Sequence, residues 1–397
     1  MKYFKLKNLA AKNIQAGNRL IQLEDFDQPF EVHEALEGMV IGLLDLESNF
    51  LGQALVGRQN KGFAWIFSVD SEEYWSVELV TRRLETAIQK RSSLFNSEKT
   101  DGFRLFNGEG DGVGGLSIDW YNEYLQLNWY SSGAFAYQEW WLEALTQSKI
   151  NIKGIYQTKR FEDESLDSPI SLIWGQAAPQ PLVIKEEGRR YAVYLGQDWM
   201  TGIFFDQRSV RNFIQAQAMG ASVLNLFSYT GAFSVAAALG GAERTVSVDV
   251  ANRSLEWTQE NLTLNGLVDK LEQHEIRVMN VFNYLDYAFK AEELFDLIVC
   301  DPPSFARTKE YTFSAIRDYS NLAVKLARLT KPGGFCLLST NHSTYSKESF
   351  IEQMNQAGKQ AGVTWQLIQV FDLGRDFPTS NDLTSNYLKV LVYYRSE

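Results

Sequence analysis

The chain has 397 residues, 45% of them hydrophobic, which is enough apolar surface to bury more than one core, so two or three globular domains are expected. A formal net charge of −11 weighs against a nucleic-acid partner, because holding phosphates takes positive surface that releases counterions. Two cysteines and three histidines leave too few soft ligands for a zinc site, so a reducing cytoplasm and no metal are expected.

At the start of the chain, Lys2, Lys5, Lys7, Lys12 and Arg19 interrupt any apolar stretch, so no secretory signal is read there. Short apolar runs at Met39–Leu44, Gly52–Gly57 and Phe63–Phe67 are separated by turn residues, a spacing that predicts a small β-barrel. Acidic residues crowd Glu24 to Glu37. From Ser76 to Phe95 the apolar positions Val77, Val80, Leu84, Ala87, Ile88 and Leu94 recur at helical spacing and predict a connecting helix. A β-rich middle region follows, with strands expected at Phe103–Phe106, Gly115–Asp119, Tyr124–Trp129 and Gly154–Gln157. Its glycines at 108, 110, 112, 114 and 115 are followed by no helix start that could present N–H groups to a phosphate, so Glu109–Gly112 reads as hairpin turn chemistry. Basic pairs recur at Arg82-Arg83, Lys90-Arg91, Lys159-Arg160 and Arg189-Arg190, and each taken singly reads as a solvated face.

Beyond Thr201 the pattern changes. Apolar strands at Val223–Phe227, Thr245–Asp249, Glu275–Val278, Asp296–Cys300, Gly334–Ser339 and Trp365–Phe371 alternate with helical stretches at Ala232–Leu239, Ser254–Asn265, Val281–Phe289, Ala315–Leu329 and Lys347–Gly362. Such alternation predicts an α/β, Rossmann-like, doubly wound sheet. The tail Tyr387–Tyr394 is expected as an antiparallel edge strand. The uncharged run Ala221–Ala242 contains Asn225, Ser228, Thr230 and two glycines, and so reads as strand, loop and buried helix instead of a membrane span.

Ligands of a doubly wound sheet bind outside the carboxyl ends of its strands, which makes the loops there informative. The first is Phe227-Ser228-Tyr229-Thr230-Gly231. Its single glycine does not form the G-x-G-x-x-G cradle of a dinucleotide, and it suits a cofactor with an adenosine but no phosphates. Asp249 ends the second strand, where a carboxylate can accept from both ribose hydroxyls, and Asn280 follows the third, with an amide able to pair with an adenine edge.

Val223–Phe233, Val246–Asp249, the Glu260-Asn261-x-x-x-Asn265-Gly266-Leu267 helix end and Asp301-Pro302-Pro303-Ser304-Phe305 resemble the large-subunit ribosomal RNA methyltransferases. The nearest groups are the cytosine-5 enzymes, with an N-terminal PUA-type RNA-binding domain, and the guanine-N7 enzymes. Thr201–Arg208 and Arg104-Leu105-x-Asn107-x-Glu109-x-Asp111-Gly112, followed by Gly115–Asp119, also resemble them. The resemblance runs from about residue 100 to the end and is weaker over residues 1–75.

It implies a PUA-like domain over residues 1–75, a connecting helix and β-rich domain over 76–198, and an S-adenosylmethionine-dependent methyltransferase domain over 199–397. It implies that Phe227, Ser228, Tyr229, Thr230, Gly231, Asp249 and Asn280 line the cofactor pocket and that Asp206, Gln207 and Arg208 close it. Family members usually carry aspartate where Asn280 stands. Asp301, Pro302, Pro303 and Phe305 are the expected catalytic set, with carbonyls fixed by the prolines to accept from a base N–H and Phe305 stacking on a flipped ring. The implied partner is ribosomal RNA or a ribosomal subunit assembly intermediate, in the cytoplasm and away from membranes; the oligomeric state, a homodimer included, stays open.

Cytosine C5 is a poor nucleophile, and its methylation needs a cysteine thiolate added at C6. The cytosine-5 relatives carry that cysteine where this chain has Asn341, and other RNA cytosine-5 enzymes carry one where it has Ser304. Cys300 and Cys336 fall inside apolar strand runs, where free cysteines act as small core hydrophobes. A nitrogen target, guanine N7 above all, is therefore expected, with cytosine C5 as the alternative and a non-catalytic RNA-binding assembly factor as a reading of another class.

Overall fold

The computed structural model describes the chain except residues 30–35, 60–61, 163–167, 308–311, 383 and 397. Part of the acidic Glu24–Glu37 stretch therefore lies outside the described residues. The chain divides into two compact units, one of Met1–Ile184, Val193–Thr201 and Arg375–Asn386, the other of Lys185–Ala192, Gly202–Gly374 and Tyr387–Glu397.

In the first unit, β1 (Lys2–Lys5), β2 (Leu20–Ile21), β3 (Val40–Leu44), β4 (Phe50–Gln59) and β5 (Gly62–Ser68) form a five-stranded sheet in the order β1-β3-β4-β5-β2. The helix Asn8–Gln15 puts Ala10, Ala11 and Ile14 into a core with Phe4, Phe26, Ile41, Val56 and Ile66. A second five-stranded sheet holds β6 (Gly102–Asn107), β7 (Leu116–Tyr121), β8 (Tyr124–Trp129), β9 (Gly154–Lys159) and β10 (Ile170–Gly175) in the order β10-β9-β8-β7-β6. Alternation along β7 sends Leu116, Ile118 and Trp120 into one core, where the helix Val77–Lys90 adds Val80, Leu84 and Ala87. The connection between β6 and β7 joins an antiparallel pair, as expected, but through a 3-10 turn, Gly108–Asp111, closed by Gly112 at φ +97°. There Asp111 accepts from both Arg91 guanidinium nitrogens, at 2.8 and 2.7 Å.

That ion pair corrects the solvated-face reading of the basic pairs. Arg91 is 1% exposed, Arg189 is 2% exposed, and Lys159 is buried with its ammonium 4.7 Å from the centre of the Phe135 ring. Neighbouring Lys90, Arg82 and Arg83 pair with Asp111 or Glu73. Only the tertiary structure supplies such partners, because none of these carboxylates stands at a helical i, i+4 spacing from its cation.

After β11 (Leu182–Glu186) and β12 (Arg189–Val193), the second unit is built on β13 (Ser222–Leu226), β14 (Arg244–Asp249), β15 (His274–Val278), β16 (Phe295–Cys300), β19 (Thr330–Thr340), β20 (Trp365–Phe371) and β21 (Lys389–Arg395), with the short hairpin β17 (Phe305–Arg307) and β18 (Thr312–Ser314) following β16. The seven strands run β15-β14-β13-β16-β19-β21-β20. The first five are parallel, because the helices Ala232–Leu239, Arg253–Leu264, Val281–Lys290 and Ala315–Leu329 return the chain between them. The α/β Rossmann-like architecture and its strand sequence agree with expectation. The tail strand is antiparallel to both neighbours but is no edge: β21 lies between β19 and β20, and β20 is the outer strand. Its run Lys389-Val-Leu-Val-Tyr is buried throughout, a two-sided burial that an edge position would not require. No described helix is long and apolar enough to cross a membrane.

Candidate active site

The strand order reverses between β13, which pairs with β14 on one side, and β16 on the other, so the loops after β13 and β16 emerge side by side. In the first, Phe227 and Tyr229 sit at φ +57° and +51°, and Gly231 at +71°. Left-handed backbone at a non-glycine residue costs on the order of 1–3 kcal/mol and persists only where surroundings over-determine it. They do so here. Ser228 N–H donates to Val248 O at 3.1 Å, Tyr229 N–H to Asp249 Oδ2 at 2.8 Å and Gly231 N–H to Ser228 O at 2.8 Å. Thr230 Oγ1 donates to Gly202 O at 2.8 Å, and Asn261 Nδ2 to Thr230 O at 2.9 Å. A Cβ at Gly231 would stand 2.4 Å from Thr258 Cγ2. Beside the strained loop, Ser228 Oγ and Thr258 Oγ1 are buried with no hydrogen-bond partner among the described residues, which leaves two hydroxyls there able to pair with a ligand or a water.

Asp249 spends one hydrogen bond per oxygen on backbone, Oδ2 on Tyr229 N–H and Oδ1 on Ala251 N–H at 2.9 Å. A carboxylate has about four lone-pair sites, so both oxygens can still accept. Asn280 caps the helix Val281–Lys290, its Oδ1 accepting from Phe282 N–H at 2.8 Å. The cap uses one lone pair of the amide oxygen and leaves Nδ2 and the second lone pair for a ligand.

Asp206, Gln207 and Arg208 occupy a 3-10 turn, Phe205–Gln207, and the start of the helix Arg208–Gln217, and their side chains part company. Gln207 Nε2 donates to Asp301 Oδ2 and Ser339 Oγ, both at 3.0 Å, while its Oε1 is buried without a partner among the described residues. Asp206 Oδ2 accepts from the Tyr387 hydroxyl at 2.8 Å. Arg208 Nε lies 3.6 Å from the fully buried Glu186 carboxylate, which Arg211 grips with two bonds of 2.6 Å and Arg189 meets at 3.1 Å. Burial alone would push the Glu186 carboxyl up, but Arg211, Arg208 and Arg189 hold it below the ordinary glutamate range. Arg211 Nη2 also donates to Phe204 O at 2.8 Å, tying the turn to this cluster.

Asp301 follows β16. Burial pushes its carboxyl up to about 6 and the Asp206 charge adds to the rise, while hydrogen bonds from Ser339 and Gln207 pull it back. Pro302 is buried and Pro303 exposed. Ser304 Oγ donates to Asn341 Oδ1 at 2.5 Å. Phe305, 63% exposed, opens the β17–β18 hairpin with its ring available for stacking. The Tyr319 hydroxyl lies 3.0 Å from Cys300 O and 2.9 Å from Ser339 O, bracing the carboxyl ends of β16 and β19. Cys300 and Cys336 are buried in those strands; burial lifts the Cys300 thiol well above its ordinary range and the Cys336 thiol to about 12. Ser339, Tyr319 and the Glu186–Arg211 pair were not singled out by the sequence reading. Only Ser339 left a signal there, as the residue ending an apolar strand run.

A parallel sheet of this order with one antiparallel strand inserted beside its outer strand, and a ligand loop without the pyrophosphate pattern, defines a methyltransferase of the class I fold. The chain belongs to the S-adenosylmethionine-dependent methyltransferase family, which matches residues 163–392, and residues 4–69 match a PUA-like domain. It is 42% identical over 396 residues, 99% of each chain, to YwbD of Bacillus subtilis, whose name assigns it provisionally as a ribosomal RNA large subunit methyltransferase. It is 32% identical over 347 residues, 87% of each chain, to ribosomal RNA large subunit methyltransferase I of Yersinia pseudotuberculosis. A solved structure described provisionally as a methyltransferase and complexed with SAH superposes with a TM-score of 0.91 at 34% identity, covering 99% of this chain and 100% of that one. A Streptococcus mutans protein, described provisionally as an S-adenosylmethionine-dependent methyltransferase, superposes at 0.89 and 33% identity with the same coverage.

The cofactor is S-adenosylmethionine, and the residues present fit it. The loop supplies a close backbone approach at Gly231 and hydroxyls at Ser228 and Thr258 without partners among the described residues, while Asp249 keeps acceptor positions free for ribose hydroxyls.

Proposed function

We propose that this chain transfers a methyl group to a base of large-subunit ribosomal RNA, at a ring nitrogen, with guanine N7 as the target. The observation that carries the reading is the burial of both thiols inside β16 and β19, together with Ser304 and Asn341 at the loop positions a nucleophilic cysteine would need. A cytosine C5 acceptor requires a thiolate, whereas guanine N7 already carries a lone pair and needs only orientation.

On this reading Phe227–Gly231, Asp249 and Asn280 hold the cofactor, which supplies an electrophilic methyl group on sulfur. The turn at Asp206–Arg208 closes the pocket, with Gln207 fixing the Asp301 carboxylate through its 3.0 Å hydrogen bond. The carbonyls set by Pro302 and Pro303 accept from the base, and Phe305 stacks on it. Methylation at N7 removes no proton and leaves the purine positively charged, so Asp301 serves as a counter-charge. The PUA-like region contributes RNA binding, and the partner is ribosomal RNA or a subunit assembly intermediate in the cytoplasm.

Incubating the full-length protein with S-adenosylmethionine and ribosomal RNA from a strain lacking it, then analysing nucleosides by mass spectrometry, tests the reading. 7-methylguanosine is expected. 5-methylcytosine as the sole new nucleoside would overturn the nitrogen target.

A further inference from the structure

Asn341 stands at the carboxyl end of β19, one residue beyond Thr340, and is exposed. The residues on either side of it are held: Thr340 is in register with Lys389 of β21, the Lys389 ammonium donates to His342 O at 3.0 Å, and His342 N–H donates to Thr340 Oγ1 at 3.3 Å. Its side chain is held as well, because Ser304 Oγ donates to Oδ1 at 2.5 Å across from the Asp301-Pro302-Pro303 loop. That bond commits the carbonyl end of the amide to protein. Among the described residues nothing accepts from Nδ2, so an N–H donor is left at an exposed position tied by Ser304 to the loop that carries Asp301.

A donor so placed discriminates between purines. On the edge that carries N7, guanine presents O6, an acceptor, where adenine presents an N6 amino group, a donor. We propose that Asn341 is the specificity-determining residue of this site, its Nδ2 donating to guanine O6 while N7 next to it stays free for the methyl group, and that Ser304 is a positioning residue holding the amide in that orientation. An amino group at the same place, on adenine or on cytosine C4, would set donor against donor and be rejected. The inference rests on the guanine reading above and adds the atom by which guanine is recognised.

The test uses the full-length protein with S-adenosylmethionine and ribosomal RNA from a strain lacking it, and reads both product nucleosides and the two kinetic constants. For Asn341→Asp, which keeps the shape and removes the donor, and Asn341→Leu, which removes all hydrogen bonding, kcat/KM for RNA is expected to fall about 10- to 100-fold, the usual discrimination of one base-edge contact. KM for S-adenosylmethionine and the melting temperature should stay unchanged, which a merely structural role would not allow. Ser304→Ala should show a smaller loss of the same kind. Wild-type rates of guanine methylation by both Asn341 variants would overturn the inference while leaving the guanine reading intact. A wild-type product other than a methylated guanine would overturn the reading, and the inference with it.

Discussion

Gln207 Nε2 donates to Asp301 Oδ2 at 3.0 Å and to Ser339 Oγ at the same distance, so one amide joins the turn ahead of β13 to the ends of β16 and β19. The first bond helps to orient the carboxylate of the Asp301-Pro302-Pro303 loop. Together with a hydrogen bond from Ser339, it pulls the acidity of Asp301 back toward normal against the effect of burial.

Replacing Gln207 by alanine removes a hydrogen bond to a charged group, a contact of about 1.5–3 kcal/mol. Methyl transfer should fall about 10- to 100-fold in kcat/KM. With one lowering influence gone, Asp301 should ionise at higher pH, so the acidic limb of the kcat/KM profile should move upward from about 6. A profile superimposable on that of the wild type would contradict the role given to this amide.

Asp301 itself is held at a folded-state value of about 6, raised from 3.8, chiefly by burial. A raised carboxyl favours the protonated form, so its charge penalises the fold at pH above about 6, and the penalty vanishes below the unfolded value. Asp301→Asn should therefore stabilise the protein by at most about 3 kcal/mol at pH 8 and by almost nothing at pH 3.5. Urea unfolding at the two pH values measures the difference. Methyl transfer by the same variant should drop at least about 100-fold if the carboxylate balances the charge on the methylated base.

Cys300→Ala and Cys336→Ala remove thiols that are fully buried and lifted above their ordinary range. Each should cost about 1 kcal/mol of stability through lost packing. Each should retain kcat within about twofold, measured by methyl transfer to ribosomal RNA, because the proposed chemistry uses no thiolate. Loss of activity in a folded Cys300→Ala protein would reopen the cytosine reading.

Gly231→Ala places a Cβ 2.4 Å from Thr258 Cγ2 at a residue with φ +71°. The loop must shift, at a cost of about 1–3 kcal/mol, and the dissociation constant for S-adenosylmethionine should rise at least about 10-fold by calorimetric titration. Unchanged affinity would show that the cofactor does not depend on this loop.

The strands and helices of the methyltransferase unit were legible because their signals are local. Ala232–Leu239, Ala315–Leu329 and Trp365–Phe371 have the bounds that periodicity predicts, and the loop proposed to hold the cofactor stands out because its glycine and the carboxylate at Asp249 follow strands in order. Less legible were segments whose stability comes from remote partners. β1, the helix Asn8–Gln15 and the β11–β12 ribbon carry weak patterns of their own, and β21 looked like an edge strand because insertion between β19 and β20 leaves no mark in its own residues.

By itself the sequence determined the kind of sheet, the single-glycine loop after its first strand and the absence of cysteine at 304 and 341, since periodicity, turn chemistry and residue identity are properties of neighbours in the chain. Only the tertiary structure decided what those residues face. It turned Arg91 and Arg189 inward against carboxylates and set Gln207 against Asp301. It also brought Ser304 and Asn341 into one hydrogen bond. The Arg91–Asp111, Ser304–Asn341 and Gln207–Asp301 pairings join positions 20, 37 and 94 residues apart, and the direction of such a hydrogen bond is set by packing, which no local pattern records.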